Sequence, residues 1–211
     1  MIFKAEHIAR DVRVALDENN SSEQLIATGD IETLSLDELI GSKIEEGVRR
    51  VVRTAPREFL EGGIPFGDCV YWREGFRGWI LLPDDFVRLI IFKMSDWERA
   101  VFEPISVADP RYALQSSRFG GLRGNAEKPV VAIGRRGEGL ALEFFSCRSE
   151  DATVDQAMYL AEPRIDRYGG IEIPKKCYTS SIYEIASLTA MAVGKYDESR
   201  FLSERGKELL I

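Results

Sequence analysis

A chain of 211 residues, 45% hydrophobic and 30% charged, suffices for one well-buried core and has the composition of a soluble globular protein. Its formal charge of −7 argues against affinity for nucleic acid built on phosphate neutralisation, although like-charge repulsion suits a protein that stands beside DNA without adhering. No stretch approaches the ~18 uninterrupted apolar residues of a membrane span, and the N-terminal MIFKAEHIARDVRVAL is charged throughout, unlike a secretory signal. Cys69, Cys147 and Cys177 are odd in number, widely spaced and free of a CxxC pair, which points to buried thiols in a reducing compartment.

Residues 4–17 predict a short amphipathic helix, with Ile8, Val12, Ala15 and Leu16 on one stripe. Asp17 to Asp30 is polar and loop-like, with Leu25 and Ile26 as candidates for local packing. Ser35-Leu36-Asp37-Glu38 then forms a capping box: the serine oxygen accepts from the Glu38 N–H and the glutamate reaches back. Behind it Leu36, Ile40, Ile44, Val48 and Val52 recur every four residues, the stripe of an amphipathic helix. Pro56 opens a further turn carrying Phe59 and Leu60, and Gly62-Gly63 stops it.

From Phe66 the signals change to short strands. Val70–Trp72 and Gly78–Leu82 flank a hairpin loop at 73–77. The stretch Trp79 to Ile105 is rich in aromatic and β-branched residues. It predicts strands at 79–82 and 86–92, broken by a turn at Pro83-Asp84-Asp85, and a returning strand over 97–105. Ser106 to Lys128 has no clear period and reads as a long functional or mobile loop. Pro129–Ile133 and Gly139–Phe145 flank a second hairpin loop at 134–138, and Met158–Leu160 is a candidate last strand. Residues 177–193 are apolar on nearly every side, as in a helix buried among others. Gly194 reads as its C-terminal cap and Asp197 as the N-cap of a last helix.

The expected fold is α+β. N- and C-terminal helices (1–63 and 174–211) form one bundle, and a central antiparallel β insert (66–163) forms a sandwich or small barrel, the whole being one domain over 1–211.

Individual residues specify no chemistry. The one histidine, His7, lies on the first helix, a poor place to assemble a nucleophilic site, and no zinc spacing accompanies it. Gly120-Gly121-Leu122-Arg123-Gly124 resembles a phosphate loop only superficially, lacking both GxGxxG spacing and GK[ST]. Asp84 and Asp85, adjacent at a strand edge, point to opposite faces and suit a turn better than a shared proton or metal. No cofactor is therefore expected, and no metal. Arg118, Arg123, Arg135 and Arg136, with Phe119 interleaved, make a loop-borne basic set suited to a rim against an acidic neighbouring chain. Trp79 and Trp97 join them as interface candidates, since an exposed tryptophan is a frequent anchor.

Three features carry a resemblance. One is the capped helix 34–55 that ends in Ala55-Pro56 and leads to Phe59-Leu60. Another is the phrase Leu82-Pro83-Asp84-Asp85-Phe86-Val87-Arg88-Leu89. The last is the C-terminal run of Ile173-Pro174, an alanine-bearing helix over 182–193, a Gly194-x-x-Asp197 step and a final helix. Together these resemble the head-to-tail connector (adaptor) proteins of tailed bacteriophages, among them the tail tubular protein A type. The resemblance implies a non-enzymatic structural protein of the virion: copies in a ring, commonly twelvefold, beneath the portal protein. DNA would pass through without sequence-specific binding, the terminal helices would meet the portal or neighbouring copies, and the β region would meet the next tail component. Two alternatives stay open: a cytosolic ligand- or protein-binding module of bacterial or mobile-element origin, and an enzyme whose polar pocket the sequence does not reveal.

Overall fold

A computed structural model describes residues 1–19 (side chains to 16), 35–119, 121–137 and 139–211. The polar stretch around Leu25 and Ile26 lies outside the described residues. In chain order the elements begin with β1 (Ile2–Lys4), α1 (Ala5–Asn19) and α2 (Leu36–Thr54). Strands β2 (Ile64–Pro65), β3 (Tyr71–Arg73), β4 (Arg77–Leu81), β5 (Phe86–Met94) and β6 (Ile105–Ser106) follow. Then come the short helix α3 (Pro110–Leu114) and strands β7 (Val131–Arg136), β8 (Gly139–Phe144), β9 (Val154–Ala161) and β10 (Gly170–Glu172). Helices α4 (Tyr178–Ala192) and α5 (Tyr196–Glu208) end the chain. It divides into two compact units: Met1–Glu61 with Pro163–Ile211, and Gly62–Glu162.

In the first unit the Ser35 box forms in full. Its N–H donates to Glu38 Oε2 at 2.8 Å, and its Oγ accepts from the Glu38 N–H at 3.3 Å. Ile8, Val12 and Leu16 of α1 and Ile40, Ile44 and Val48 of α2 are buried, each stabilising the fold by roughly 1.5–3 kcal/mol relative to exposure. Helix α4 is buried on nearly all sides because its polar residues are small and self-satisfying. Ser181 Oγ donates to the Cys177 carbonyl and Thr189 Oγ1 to that of Ile185. Ser180 and Ser187 donate to the carbonyls of Gly206 and Ser199 on α5. A bond from the Lys195 N–H to the Ala190 carbonyl, and one from the Gly194 N–H to that of Met191, close α4 in a Schellman turn with Gly194 at φ +81°. Lys195, not Asp197, occupies the cap position of α5, and Asp197 falls within its first turn.

The second unit packs Phe92, Phe144, Trp97, Leu142 and Met94 into one core, joined by Phe66 and Trp72 from its margin. Strands β2, β9 and β5 form one sheet, and β3, β4, β8, β7 and β6 another.

The expected architecture is corrected on four points. The helical unit contains a sheet of its own, β1 paired with β10. The β region holds two sheets, and the larger is mixed, because β6 runs parallel to β7. Parallel neighbours need a long crossover, and the chain from Ser106 to Val131, including α3, supplies it. The expected strand over 97–105 is absent: only Val101 bridges to Phe92 before β6 begins. Finally, 135 and 136 extend β7, so the second hairpin loop is shorter than the glycines suggested.

Candidate functional site

Side-chain alternation divides the five-stranded sheet into two faces. Gly78, Ile80, Leu142, Phe144 and Val131 turn to the core. The other face carries Tyr71 and Arg73 from β3, Arg77 and Trp79 from β4, Glu143 from β8 and Arg136 from β7. Register holds them together: Tyr71 lies opposite Trp79, Arg73 opposite Arg77, and Trp79 opposite Glu143. Tyr71 stacks on Trp79 with 5.4 Å between centroids. The Arg73 guanidinium lies 4.9 Å from the indole centroid and that of Arg136 lies 5.6 Å away, both within cation–π range.

Helix α3 closes one side. Asp109 caps it, accepting from the Arg111 N–H at 2.8 Å. Tyr112 then packs edge-on against Phe145 and donates its hydroxyl to Glu143 Oε2 at 2.9 Å. The loop behind is fixed by buried Gln115, which donates to the Arg111 carbonyl and accepts from the Gly124 N–H. Burial, then the Glu143 hydrogen bond, raises the Tyr112 phenol above its ordinary pKa.

The result is a cleft of about 380 Å³ lined by Arg73, Arg77, Trp79, Tyr112, Arg136 and Glu143, with Glu74 beside them. Glu143, 4% exposed, ion-pairs Arg136 at 2.6 Å, which commits that guanidinium. Arg73 and Arg77 have no carboxylate partner within ion-pair distance among the described residues. The buried Nε atoms of Arg77 and Arg136 have no acceptor. Chemically the cleft offers guanidinium donors and an aromatic platform, the means to hold an anionic group.

Of the expected interface residues, Trp79 and Arg136 meet in this cleft. Trp97 does not reach the surface: it is 3% exposed and packs edge-on against Phe92. Arg118 and Phe119 are exposed and stack on each other, the guanidinium 5.0 Å from the ring, without lining the cleft. Arg123 borders a separate depression with Gly124 and Cys147, and Arg135 is exposed. Arg73, Arg77, Tyr112 and Glu143 were missed. The signals for the first two were the alternations Tyr71-x-Arg73 and Arg77-x-Trp79, which put like residues on one face.

The other sequence candidates dissolve into structure. Asp85 Oδ1 accepts from the Tyr159 hydroxyl at 2.9 Å, while Asp84 is exposed in the turn. His7 is exposed, and no group of three or more potential metal ligands occurs among the described residues. All three cysteines are free thiols; Cys177 is buried, Cys147 half-buried, and Cys69, against expectation, exposed. No helix among the described residues is long and apolar enough to cross a membrane. No protein-family model matches the chain, and no curated protein matches it.

Proposed function

We propose that the protein is a structural subunit of a tailed-phage virion, a head-to-tail connector that assembles as a ring between the portal protein and the next tail component. The observation that carries this reading is the set of large apolar side chains that α4, α5 and the residues after α5 leave exposed. Tyr196 is 70% exposed, Phe201 55%, and Met191, Leu209 and Ile211 are exposed as well. Exposed aromatic and long apolar side chains are the anchors that a neighbouring chain can cover. The segmentation of the chain supports the same role. Its two ends share a helical unit, and the middle forms a second unit with a polar, aromatic face. The negative net charge suits a passage through which DNA slides.

The test is to mix the purified chain with its portal protein, then sediment the mixture and image it by electron microscopy. Co-sedimentation and a ring on the portal are expected, lost on Phe201→Glu or Tyr196→Glu while the helical circular dichroism is kept. Failure of the unaltered chain to co-sediment or to form a ring would end the connector reading. The cleft over Trp79 favours a second reading, a non-enzymatic module that binds a ligand or protein. Under that reading binding at the cleft persists with no affinity for a portal.

A further inference from the structure

We infer that the cleft over Trp79 is a receptor for a carboxylate of another polypeptide. An acidic side chain sits between the Arg73 and Arg77 guanidiniums, beside the Trp79 indole that Arg73 overlies. The inference stands on the sheet face and not on the connector reading.

Arg73 and Arg77 are directly opposite each other in the β3–β4 ladder, where like charges destabilise the pairing. No carboxylate of the described residues lies within ion-pair distance of either, and Arg73 has only the Trp79 ring beneath it. The nearest buried carboxylate, Glu143, is held by Arg136 at 2.6 Å and by the Tyr112 hydroxyl at 2.9 Å. The Nε–H of Arg77 is shielded from water yet has no acceptor. Buried donors are ordinarily paired, so a missing acceptor on a guanidinium that lines an open cleft points to one that arrives from outside. Planar guanidinium forks match a carboxylate in two-point geometry.

Charge selects among anions. With Arg136 neutralised by Glu143, the surplus is two guanidiniums opposed by Glu74 at the rim. That balance suits a monoanionic carboxylate. A phosphate dianion would bring a second negative charge against Glu74, where each carboxylate of a peptide brings one. The volume of about 380 Å³ accommodates a side chain and adjoining backbone. Gly134 keeps the floor low, since a Cβ there would stand 3.0 Å from Glu143 Oε1.

The experiment titrates the isolated chain with hexaglutamate, hexaglutamine, inorganic phosphate or a short single-stranded DNA. The readout is the indole N–H resonance of Trp79 in ¹⁵N–¹H spectra. Hexaglutamate is expected to shift that resonance and hexaglutamine to leave it in place. Arg73→Gln and Arg77→Gln should each weaken binding by about tenfold. Arg135→Gln, on the opposite face of β7, should leave it unchanged. Arg73 is exposed, so its variant tests the site even if Arg77→Gln unfolds. The inference is overturned by an unmoved Trp79 resonance, by tighter binding of phosphate or DNA than of hexaglutamate, or by equal weakening in Arg135→Gln. None of these arms uses the portal, so failure here and failure of the connector reading are read separately.

Discussion

The Glu143–Arg136 pair anchors the cleft, and a double-mutant cycle over it tests whether the geometry described is the one that holds in solution. Glu143 is 4% exposed and Arg136 26%, so the pair lies between the surface limit and the buried limit. Two unit charges about 4 Å apart attract by ~1 kcal/mol in bulk water and ~4 kcal/mol at the effective dielectric of a protein margin. Desolvation of the carboxylate offsets part of that attraction, leaving a coupling of about 1–2 kcal/mol. Glu143→Gln removes this coupling, and also weakens the Tyr112 bond from a charge-assisted to a neutral one, which costs about 1 kcal/mol more. The single variant should therefore lose about 2–3 kcal/mol. Arg136→Gln, Glu143→Gln and the double variant would be unfolded in urea and followed by tryptophan fluorescence, since all three tryptophans lie in the central unit. A coupling below about 0.3 kcal/mol, the usual scatter of additivity, would refute the buried pair and with it the account of why Arg73 and Arg77 are left unneutralised.

Three further outcomes are expected. A Cβ at Gly47 would stand 2.5 Å from Ile185 Cγ1 and 3.2 Å from its Cα. The gain in helix propensity in Gly47→Ala, about 1 kcal/mol, is thus outweighed by overpacking of about 1–3 kcal/mol, and the helical melting temperature should fall. Ser35→Ala should cost about 1 kcal/mol through the lost cap, measured by the same melt. Glu38 adds a pH signature: the Ser35 backbone hydrogen bond, then its side chain, lowers the carboxyl below its ordinary pKa. A depressed folded pKa gives stability that is present above the unfolded value, about 4.3, and lost as pH falls through the folded one. The penalty of Ser35→Ala should therefore shrink in acid, and a penalty that grows there would contradict the box. Burial, then the Asp96 charge, pushes the Cys147 thiol up to about 12, and burial, then Glu61, lifts Cys177 to about 11. A disulfide-exchange reagent at pH 8 should titrate one thiol fast, Cys69; two fast thiols would refute the burial of the others.

Elements whose cause is local were legible in the residues. The Ser35–Glu38 box, the four-residue stripe behind it and the Gly194 turn each depend on neighbours in sequence, and each forms. Elements whose cause is distant were not. Strands β1 and β10 are three residues each and exist because Ile2 meets Glu172, which lies 170 residues further along the chain (172 − 2). Strand β6 has two residues, and its parallel pairing with β7 depends on a crossover that no periodicity announces. Trp97 shows the same limit in the site: composition makes it an anchor candidate, and only packing against Phe92 reveals it as core. The cleft required register. Alternation places Arg77 and Trp79 on one face, but it takes the pairing of β4 with both β3 and β8 to bring Arg73 and Glu143 beside them.

The interleaving of the two units along the chain sets an order for their formation during synthesis. Residues 62–162 are contiguous, so the ribosome releases everything the β unit needs in one piece. Helices α1 and α2 emerge earlier yet remain without α4, which α2 needs at Gly47 and α1 needs through the bond from Tyr178 to Asp11. A nascent chain whose residues up to 163 have cleared the ribosome thus carries a finished middle and an unfinished beginning, its Ile8 and Ile44 stripes open to chaperones until residues 164–211 follow.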